Sequence, residues 1–125
     1  MTTEFTTLNL RQELLQAVNE LGYVEPTPIQ ASIIPLMLSG ADVIGQAKTG
    51  TGKTAAFALP ILNNLEPAQP APQALVMTPT RELALQVCDA VTSFAQFSPA
   101  RVLPVYGGAP YQPQIRELRR GVDIV

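Results

Sequence analysis

The spacing of apolar and polar residues predicts helices that alternate with short apolar runs. Between residues 10 and 21, apolar side chains recur every three or four positions, as on the buried face of a helix. Asn9 precedes this stretch and suits an N-cap, and Gly22 follows it where a left-handed residue commonly ends a helix. We therefore predict a first helix from about Leu10 to Leu21.

The segment that begins at Pro26 carries the signals for a second helix. Thr27 can cap it, Pro28 suits the first helical position, and Gln30 falls where a capping box needs a side-chain amide. Because proline has no amide hydrogen and its ring crowds the preceding turn, Pro35 is expected to break or restart this helix.

Four apolar runs lack the polar alternation of a half-exposed strand and predict buried strands. They lie at 43–45, 74–77, 102–106 and 123–125. The helices expected between them are one after Thr54, a long one after Pro79-Thr80 and a short one containing Ile115 and Leu118. This alternation is typical of an α/β fold, a parallel sheet with helices on both faces. Since the fourth strand has only begun at Val125, we expect an incomplete fold and the N-terminal part of a longer protein.

Composition excludes several classes of protein. The 125 residues suffice for one domain, no run of about 18 apolar residues could span a membrane, and the N-terminus resembles no secretory signal. One cysteine, Cys88, and no histidine leave no disulfide framework or zinc-type site and favour the cytoplasm. The formal net charge of −2 argues against a general polyanion-binding surface, so any nucleic acid is expected to bind at a local site.

A glycine-rich segment before the third predicted helix carries the strongest chemical signal. Residues 47–54 read Ala-Lys-Thr-Gly-Thr-Gly-Lys-Thr, which matches the P-loop pattern except that Ala47 stands at the first glycine position. Its two later glycines allow backbone N–H groups to turn toward a phosphate. Lys53 can then reach the β- and γ-phosphates, and the Thr54 hydroxyl can ligate Mg²⁺. A plain glycine-rich turn with a surface lysine would explain the glycines but not the Lys-Thr pair.

Three further motifs accompany the P-loop in a fixed order. Gly22-Tyr23-x-x-Pro26-Thr27-Pro28-Ile29-Gln30 precedes it, with Phe5 lying 17 residues before Gly22. Pro79-Thr80-Arg81-Glu82-Leu83-Ala84 follows the second predicted strand, and Gly107-Gly108 follows the third. Together the four motifs resemble the N-terminal part of the first RecA-like lobe of a DEAD-box ATP-dependent RNA helicase. Ala47 is common at its position in that family.

The resemblance implies a nucleotide site that takes ATP and Mg²⁺. Gln30, in what the family calls the Q motif, would hydrogen-bond the adenine edge, and the rings of Phe5 and Tyr23 would lie around the base. The triphosphate and Mg²⁺ would be held by Ala47, Lys48, Thr49, Gly50, Thr51, Gly52, Lys53 and Thr54. Lys53 and Thr54 are also the expected catalytic residues, and Thr54 is the expected metal ligand.

The resemblance also implies contact with the RNA backbone. Pro79, Thr80 and Arg81, together with the turn at Gly107-Gly108, would grip the sugar-phosphate chain without reading its sequence. Arg81 supports this independently, because a cation in the first turn of a helix opposes the helix dipole unless an anion lies nearby.

Several of these residues also have simpler explanations. Gln30 is already accounted for as the capping-box partner of Thr27, and the two roles are compatible. Phe5 could staple the N-terminus to the core, and Thr80 could simply cap its helix. Cys88 lies on an apolar stripe and is expected to be an inert thiol. The basic end of the last helix, at Arg116, Arg119 and Arg120, is expected to be solvated.

Three functions fit these motifs. The first is an ATP-dependent RNA helicase, of which residues 1–40 supply N-terminal helices and the Q motif and residues 41–125 a truncated P-loop part. The alternatives are a non-catalytic nucleotide- or RNA-binding module and another RecA-like ATPase that acts on DNA. No acid after the P-loop lies where a Mg²⁺-binding carboxylate is expected, at the C-terminal end of a buried strand. These acids are Glu66, Glu82, Asp89, Glu117 and Asp123. We therefore expect the 125-residue chain alone to be inactive.

Overall fold

The computed structural model describes residues 4–48, 50 and 52–125. A 3₁₀ helix at Phe5–Leu8 precedes five α-helices in this part of the chain. These are α1 (Gln12–Glu20), α2 (Pro28–Leu38), α3 (Lys53–Asn63), α4 (Arg81–Phe94) and α5 (Tyr111–Arg120). None of the described helices is long and apolar enough to cross a membrane.

The hydrophobic core is built mainly from helices. α2 packs along α3, α3 contacts α4, and the 3₁₀ helix and α1 close over them. Leu14, Ile34 and Leu59 are almost completely buried at the centre of this packing. The core thereby fixes the N-terminus of α3, which follows the glycine-rich segment, relative to α2.

Local end signals place several helix boundaries as predicted. Gly22 adopts a φ of 84° just after α1, and the amide of Tyr23 donates to the carbonyl of Val18 at 2.9 Å, which closes the helix end. At α2 the capping box is complete: Thr27 Oγ1 accepts from the amide of Gln30, and Gln30 Oε1 accepts from the amide of Thr27 at 2.9 Å.

Three expectations about the helices are wrong in detail. Asn9 does not cap α1; it ends the 3₁₀ helix with a φ of 60°, and α1 begins only at Gln12 after its N-cap Arg11. The amide of Arg11 instead donates to Asn63 Oδ1 at 2.7 Å, a contact between distant parts of the chain. Pro35 does not break α2, which continues to Leu38.

The third correction concerns the apolar stripe of α4, which is buried only toward its C-terminal end. Val91, Phe94 and Ala95 are buried, whereas Leu83 is 38% exposed and Cys88 is half-buried. The N-terminal half of the helix therefore borders an open cleft.

Within the described residues no segment forms a regular β-strand. Strand pairing is limited to two isolated parallel bridges, from Ala74 and from Val102 to Ile124, so 123–125 lies between the other two segments. The parallel direction agrees with the expected fold, but the sheet itself stays a prediction. The run 43–45 was expected to be a buried strand and is not: Ile44 is 99% exposed.

The Asp123 carboxylate links the segments that precede Ala74 and Val102 through hydrogen bonds. Its carboxylate accepts from the amide of Arg101 at 2.9 Å and from the Arg101 guanidinium at 3.0 Å. Gln73 Nε2 donates to the same carboxylate at 3.3 Å. These contacts hold the pKa of Asp123 below its usual range, chiefly through the Arg101 side-chain hydrogen bond. Asp123 is thus a structural ion-pair partner rather than a free acid.

Candidate functional site

The glycine-rich segment leads directly into the N-terminus of α3. Gly50 and Gly52 adopt φ angles of 82° and 83°, a region that residues with a Cβ rarely occupy, and α3 begins at Lys53. The orphan amides of a helix start and the positive end of its dipole together favour an anion at this point. Of the predicted phosphate-binding residues, Ala47 is half-buried and Lys48 is exposed. Thr49 and Thr51 lie outside the described residues.

An open cleft of about 910 Å³ runs from the start of α3 toward α4. Its walls include Gly50, Gly52, Lys53, Thr54 and Tyr23. Lys53 is exposed and Thr54 half-buried, so both polar side chains face an accessible space. No Asp or Glu is among the described residues that line it. The cleft thus combines a cation, a hydroxyl and helix-start amides, with no described acid in its walls.

Gln30 joins the capping box of α2 to the glycine-rich segment. Its side chain is buried, and while Oε1 accepts from Thr27, Nε2 donates to the carbonyl oxygen of Gly52 at 3.1 Å. A Cβ at Gly52 would clash with that same Nε2. Glycine is therefore required here both by its φ angle and by the close approach of Gln30. The capping role of Gln30 is confirmed, and its side-chain amide contacts the glycine-rich segment at Gly52.

The two aromatic residues expected near adenine contact each other. The rings of Phe5 and Tyr23 stack with centroids 6.3 Å apart, and Tyr23 also contacts Phe94 at 6.0 Å. Phe5 is buried in the core with 3% of its surface exposed, whereas Tyr23 is 43% exposed. The burial of Phe5 agrees with its simpler explanation, a staple of the N-terminus to the core. Tyr23 is the more accessible of the two rings. Phe94 had no sequence signal beyond its place on the apolar stripe.

Arg81 and the Gly107-Gly108 turn, far apart in sequence, are neighbours in space. The Arg81 guanidinium carbon lies 4.7 Å from the centroid of the Tyr106 ring, a cation–π contact. One of its terminal nitrogens would be 3.9 Å from a Cβ placed on Gly108. Arg81 has no carboxylate partner among the described residues, so its charge is available to an external anion.

Thr80 has a clear structural role beside Arg81. Its hydroxyl accepts from the amide of Leu83 at 3.1 Å and caps α4. Pro79, Thr80, Gly107 and Gly108 are all exposed, so the whole predicted group shares one accessible surface. Sequence reasoning missed two of its members, Tyr106 under the guanidinium and Gln114, which bonds to the main chain of Tyr106. Neither has a local signal, because each acts through a contact between separate segments.

The remaining titratable candidate is Cys88. Burial raises the pKa of its thiol above the usual range, which lowers the thiolate fraction at neutral pH. No group of three or more His, Cys, Asp or Glu side chains in the described chain is arranged to hold a metal ion.

Comparison with known proteins gives the family. The profile of the DEAD/DEAH box helicases matches residues 27–125. The chain belongs to this family. It is 54% identical over 122 residues to the ATP-dependent RNA helicase DeaD of Buchnera aphidicola subsp. Acyrthosiphon pisum, a match that covers 97% of this chain and 20% of that protein. It is 50% identical over 125 residues to the DEAD-box ATP-dependent RNA helicase CshA of Bacillus subtilis, covering all of this chain and 25% of that protein.

The fold agrees with the family. The crystal structure of a DEAD box protein from the hyperthermophile Methanococcus jannaschii aligns with a TM-score of 0.92 at 37% identity, covering 98% of this chain and 34% of that one. The arrangement of helices described above is therefore that of a DEAD box protein over the matched region. The chain spans about a fifth to a quarter of the length of these two curated relatives.

Proposed function

We propose that this chain is the N-terminal part of the first RecA-like lobe of an ATP-dependent RNA helicase. In this proposal residues 1–40 supply the helices and the Q motif, residues 41–125 supply the P-loop part of a parallel sheet, and the protein works in the cytoplasm. Family membership and the names of the relatives support it. The observation that carries it is the hydrogen bond from Gln30 to Gly52, which brings the Q motif to the P-loop.

The nucleotide site is proposed to hold ATP across the cleft. The Lys53 ammonium and the amides at the start of α3 pair with the phosphates, where charge builds up during phosphoryl transfer. Gln30 is proposed to bond the adenine edge, since it has one Nε2 hydrogen left beyond its bond to Gly52. Tyr23 supplies the accessible ring; Phe5, which the resemblance places there too, supports it from behind.

Mg²⁺ fits this site through Thr54. A hydroxyl oxygen is the kind of hard donor that Mg²⁺ accepts, and this ion usually keeps several waters and takes phosphate oxygens besides one or two protein ligands. Bound there, the ion would neutralise charge on the phosphates. Thr54, in the first turn of α3, would supply one hydroxyl ligand from the cleft wall.

The RNA contact is proposed at the surface formed by 79–81 and Gly107-Gly108. A guanidinium without a described carboxylate partner, helix-start amides and a glycine turn all suit a phosphate, and phosphate contacts carry no sequence information. We therefore expect the affinity for RNA to depend strongly on salt concentration and little on RNA sequence.

The test is unwinding of a short RNA duplex by the full-length protein that contains this chain. Lys53→Ala should abolish ATP-dependent unwinding without loss of folding, because the exposed lysine contributes charge and no packing. Arg116→Ala, which removes an exposed cation from α5, is the control and should unwind like the wild type. Unwinding at the wild-type rate by Lys53→Ala would overturn the nucleotide assignment.

A non-catalytic nucleotide-binding module is the second candidate for the 125-residue chain taken by itself. The specific observation in its favour is the cleft wall without a described carboxylate, since hydrolysis in this class of site needs an acid to hold Mg²⁺ or to position water. Asp123 is committed to Arg101 and does not fill that role. If the isolated chain is such a module, we expect it to bind ATP without hydrolysing it.

A further inference from the structure

Gln114, in the first turn of α5, holds both main-chain polar groups of Tyr106. Its Oε1 accepts from the amide of Tyr106 at 3.1 Å, and its Nε2 donates to the carbonyl oxygen of Tyr106 at 3.3 Å. The same Nε2 donates to the carbonyl oxygen of Pro110 at 3.2 Å, so both of its hydrogens are used. One side chain thus bonds to Tyr106, the residue before the two glycines, and to Pro110, two residues after them.

The Tyr106 ring is in turn the described contact that orients the Arg81 guanidinium. The guanidinium carbon lies 4.7 Å from the ring centroid, and no described carboxylate pairs with Arg81. A cation held by a ring face keeps its full charge, whereas a carboxylate would neutralise it. The position of the ring therefore determines where this unpaired charge is presented.

We propose that Gln114 is a positioning residue for RNA binding, because it fixes Tyr106 and so presents Arg81 and the Gly107-Gly108 turn as one prearranged surface. The proposal rests on the RNA contact proposed for Arg81. Without the amide, the two glycines leave the 107–110 turn free to move, and the ring moves with it. Ordering that surface would then oppose RNA binding, which weakens affinity without removing any group that touches RNA.

A merely structural Gln114 would behave differently. It would tie the start of α5 to the preceding turn, and its loss would lower thermal stability while RNA affinity stayed unchanged in the folded protein. The two roles separate in a double-mutant cycle, since a residue that acts through Arg81 has little left to contribute once Arg81 is removed.

The experiment measures affinity of the full-length protein for a labelled single-stranded RNA of mixed sequence. Arg81→Ala is expected to weaken binding about tenfold, and Gln114→Ala about three- to tenfold. The double variant should bind within about twofold of Arg81→Ala. Gln112→Ala is the matched control, because Gln112 is exposed in the same helix and makes no side-chain hydrogen bond in the described structure. Its RNA affinity should equal that of the wild type.

A second pair of variants covers the case in which Gln114→Ala does not fold. Tyr106→Phe keeps the ring under Arg81 and should bind RNA normally, whereas Tyr106→Leu should lose affinity as Gln114→Ala does. Wild-type affinity in Gln114→Ala or Tyr106→Leu, or losses that multiply in the double variant, would overturn the inference and leave the proposed function standing. Unchanged affinity in Arg81→Ala would overturn the RNA contact itself.

Discussion

At the scale of single residues, the functional candidates carry structural duties at the same time. Gln30 completes the capping box of α2 and also bonds to Gly52, so one amide sets the start of a helix and touches the P-loop. Thr80 caps α4 beside Arg81, the residue proposed to contact RNA. The sequence predicted both capping roles because they depend on neighbours three residues away. The Gln30–Gly52 contact spans 22 residues and leaves no local signal.

The double duty of Gln30 predicts two separable effects of its removal. Gln30→Ala leaves the Thr27 amide and the Gly52 carbonyl without their partner, which should cost about 1–2 kcal/mol of stability. In the full-length protein it should also weaken ATP binding about tenfold and blur the preference for ATP over GTP. Thr27→Ala is the control, because it removes the cap but keeps the amide. Calorimetric titration with both nucleotides checks this. A Gln30→Ala variant that melts at a lower temperature but keeps the preference for ATP would show that Gln30 only caps the helix.

Asp123 predicts how stability depends on pH. Arg101 lowers the folded-state pKa of this carboxyl below its unfolded value, so its contribution is fully present above about pH 4. It is lost as the pH falls through the lower, folded-state pKa. Asp123→Asn should therefore melt at a lower temperature than the wild type at neutral pH, with the difference shrinking in acid. Thermal melts between pH 7 and 2 test this, and a constant difference would count against it.

At the scale of elements, several helix ends were predictable from the sequence, whereas the predicted sheet is confirmed only in its parallel direction. Thr27, Thr80 and Gly22 mark helix ends through bonds within one turn, and all three were placed from sequence. The start of α1 was missed because the amide of Arg11 bonds to Asn63, 52 residues away. Pro35 was overestimated as a breaker, because helix–helix packing of α2 on α3 outweighs one missing backbone bond.

The strand predictions are confirmed only in part: the parallel direction of pairing agrees, and the sheet itself stays a prediction. An apolar run becomes a strand only when another segment supplies its hydrogen-bonding partner, and this information is not local. Ile124 finds partners on both sides and forms parallel bridges with Ala74 and Val102. Ile44 stays 99% exposed. The direction of pairing was thus predictable from the alternation of elements, and the extent of pairing was not.

The cap of α4 allows its structural and RNA-binding roles to be separated. Aspartate caps helices as well as threonine does, so Thr80→Asp should change stability by no more than about 0.5 kcal/mol. Its negative charge beside Arg81 should nevertheless weaken RNA binding by about tenfold or more. Thr80→Ser is the neutral control and should preserve both properties. Thermal melts and RNA titration of the full-length protein check this; full RNA affinity in Thr80→Asp would limit Thr80 to the cap.

At the scale of the whole molecule, a well-packed helical core coexists with several exposed apolar side chains. Ile44 is 99%, Met77 85% and Leu75 72% exposed, and exposed apolar surface favours association. The 125-residue chain expressed alone is therefore expected to aggregate. The double variant Ile44→Lys, Met77→Lys should reduce aggregation, measured as light scattering. Because these exposed side chains pack against few neighbours, its unfolding free energy should stay within about 0.5 kcal/mol of the original. A large loss of stability in that variant would show that the two side chains are buried in solution.

In the proposed function, a nucleotide site at α3 and an RNA surface at the start of α4 act together. The most direct measurement is ATP hydrolysis by the full-length protein, with and without single-stranded RNA. The wild type should be stimulated by RNA, Lys53→Ala should be inactive in both conditions, and Arg81→Ala should keep the basal rate but need about tenfold more RNA for stimulation. The 125-residue chain alone should show no turnover. Turnover by Lys53→Ala, or a wild-type rate that ignores RNA, would contradict the account.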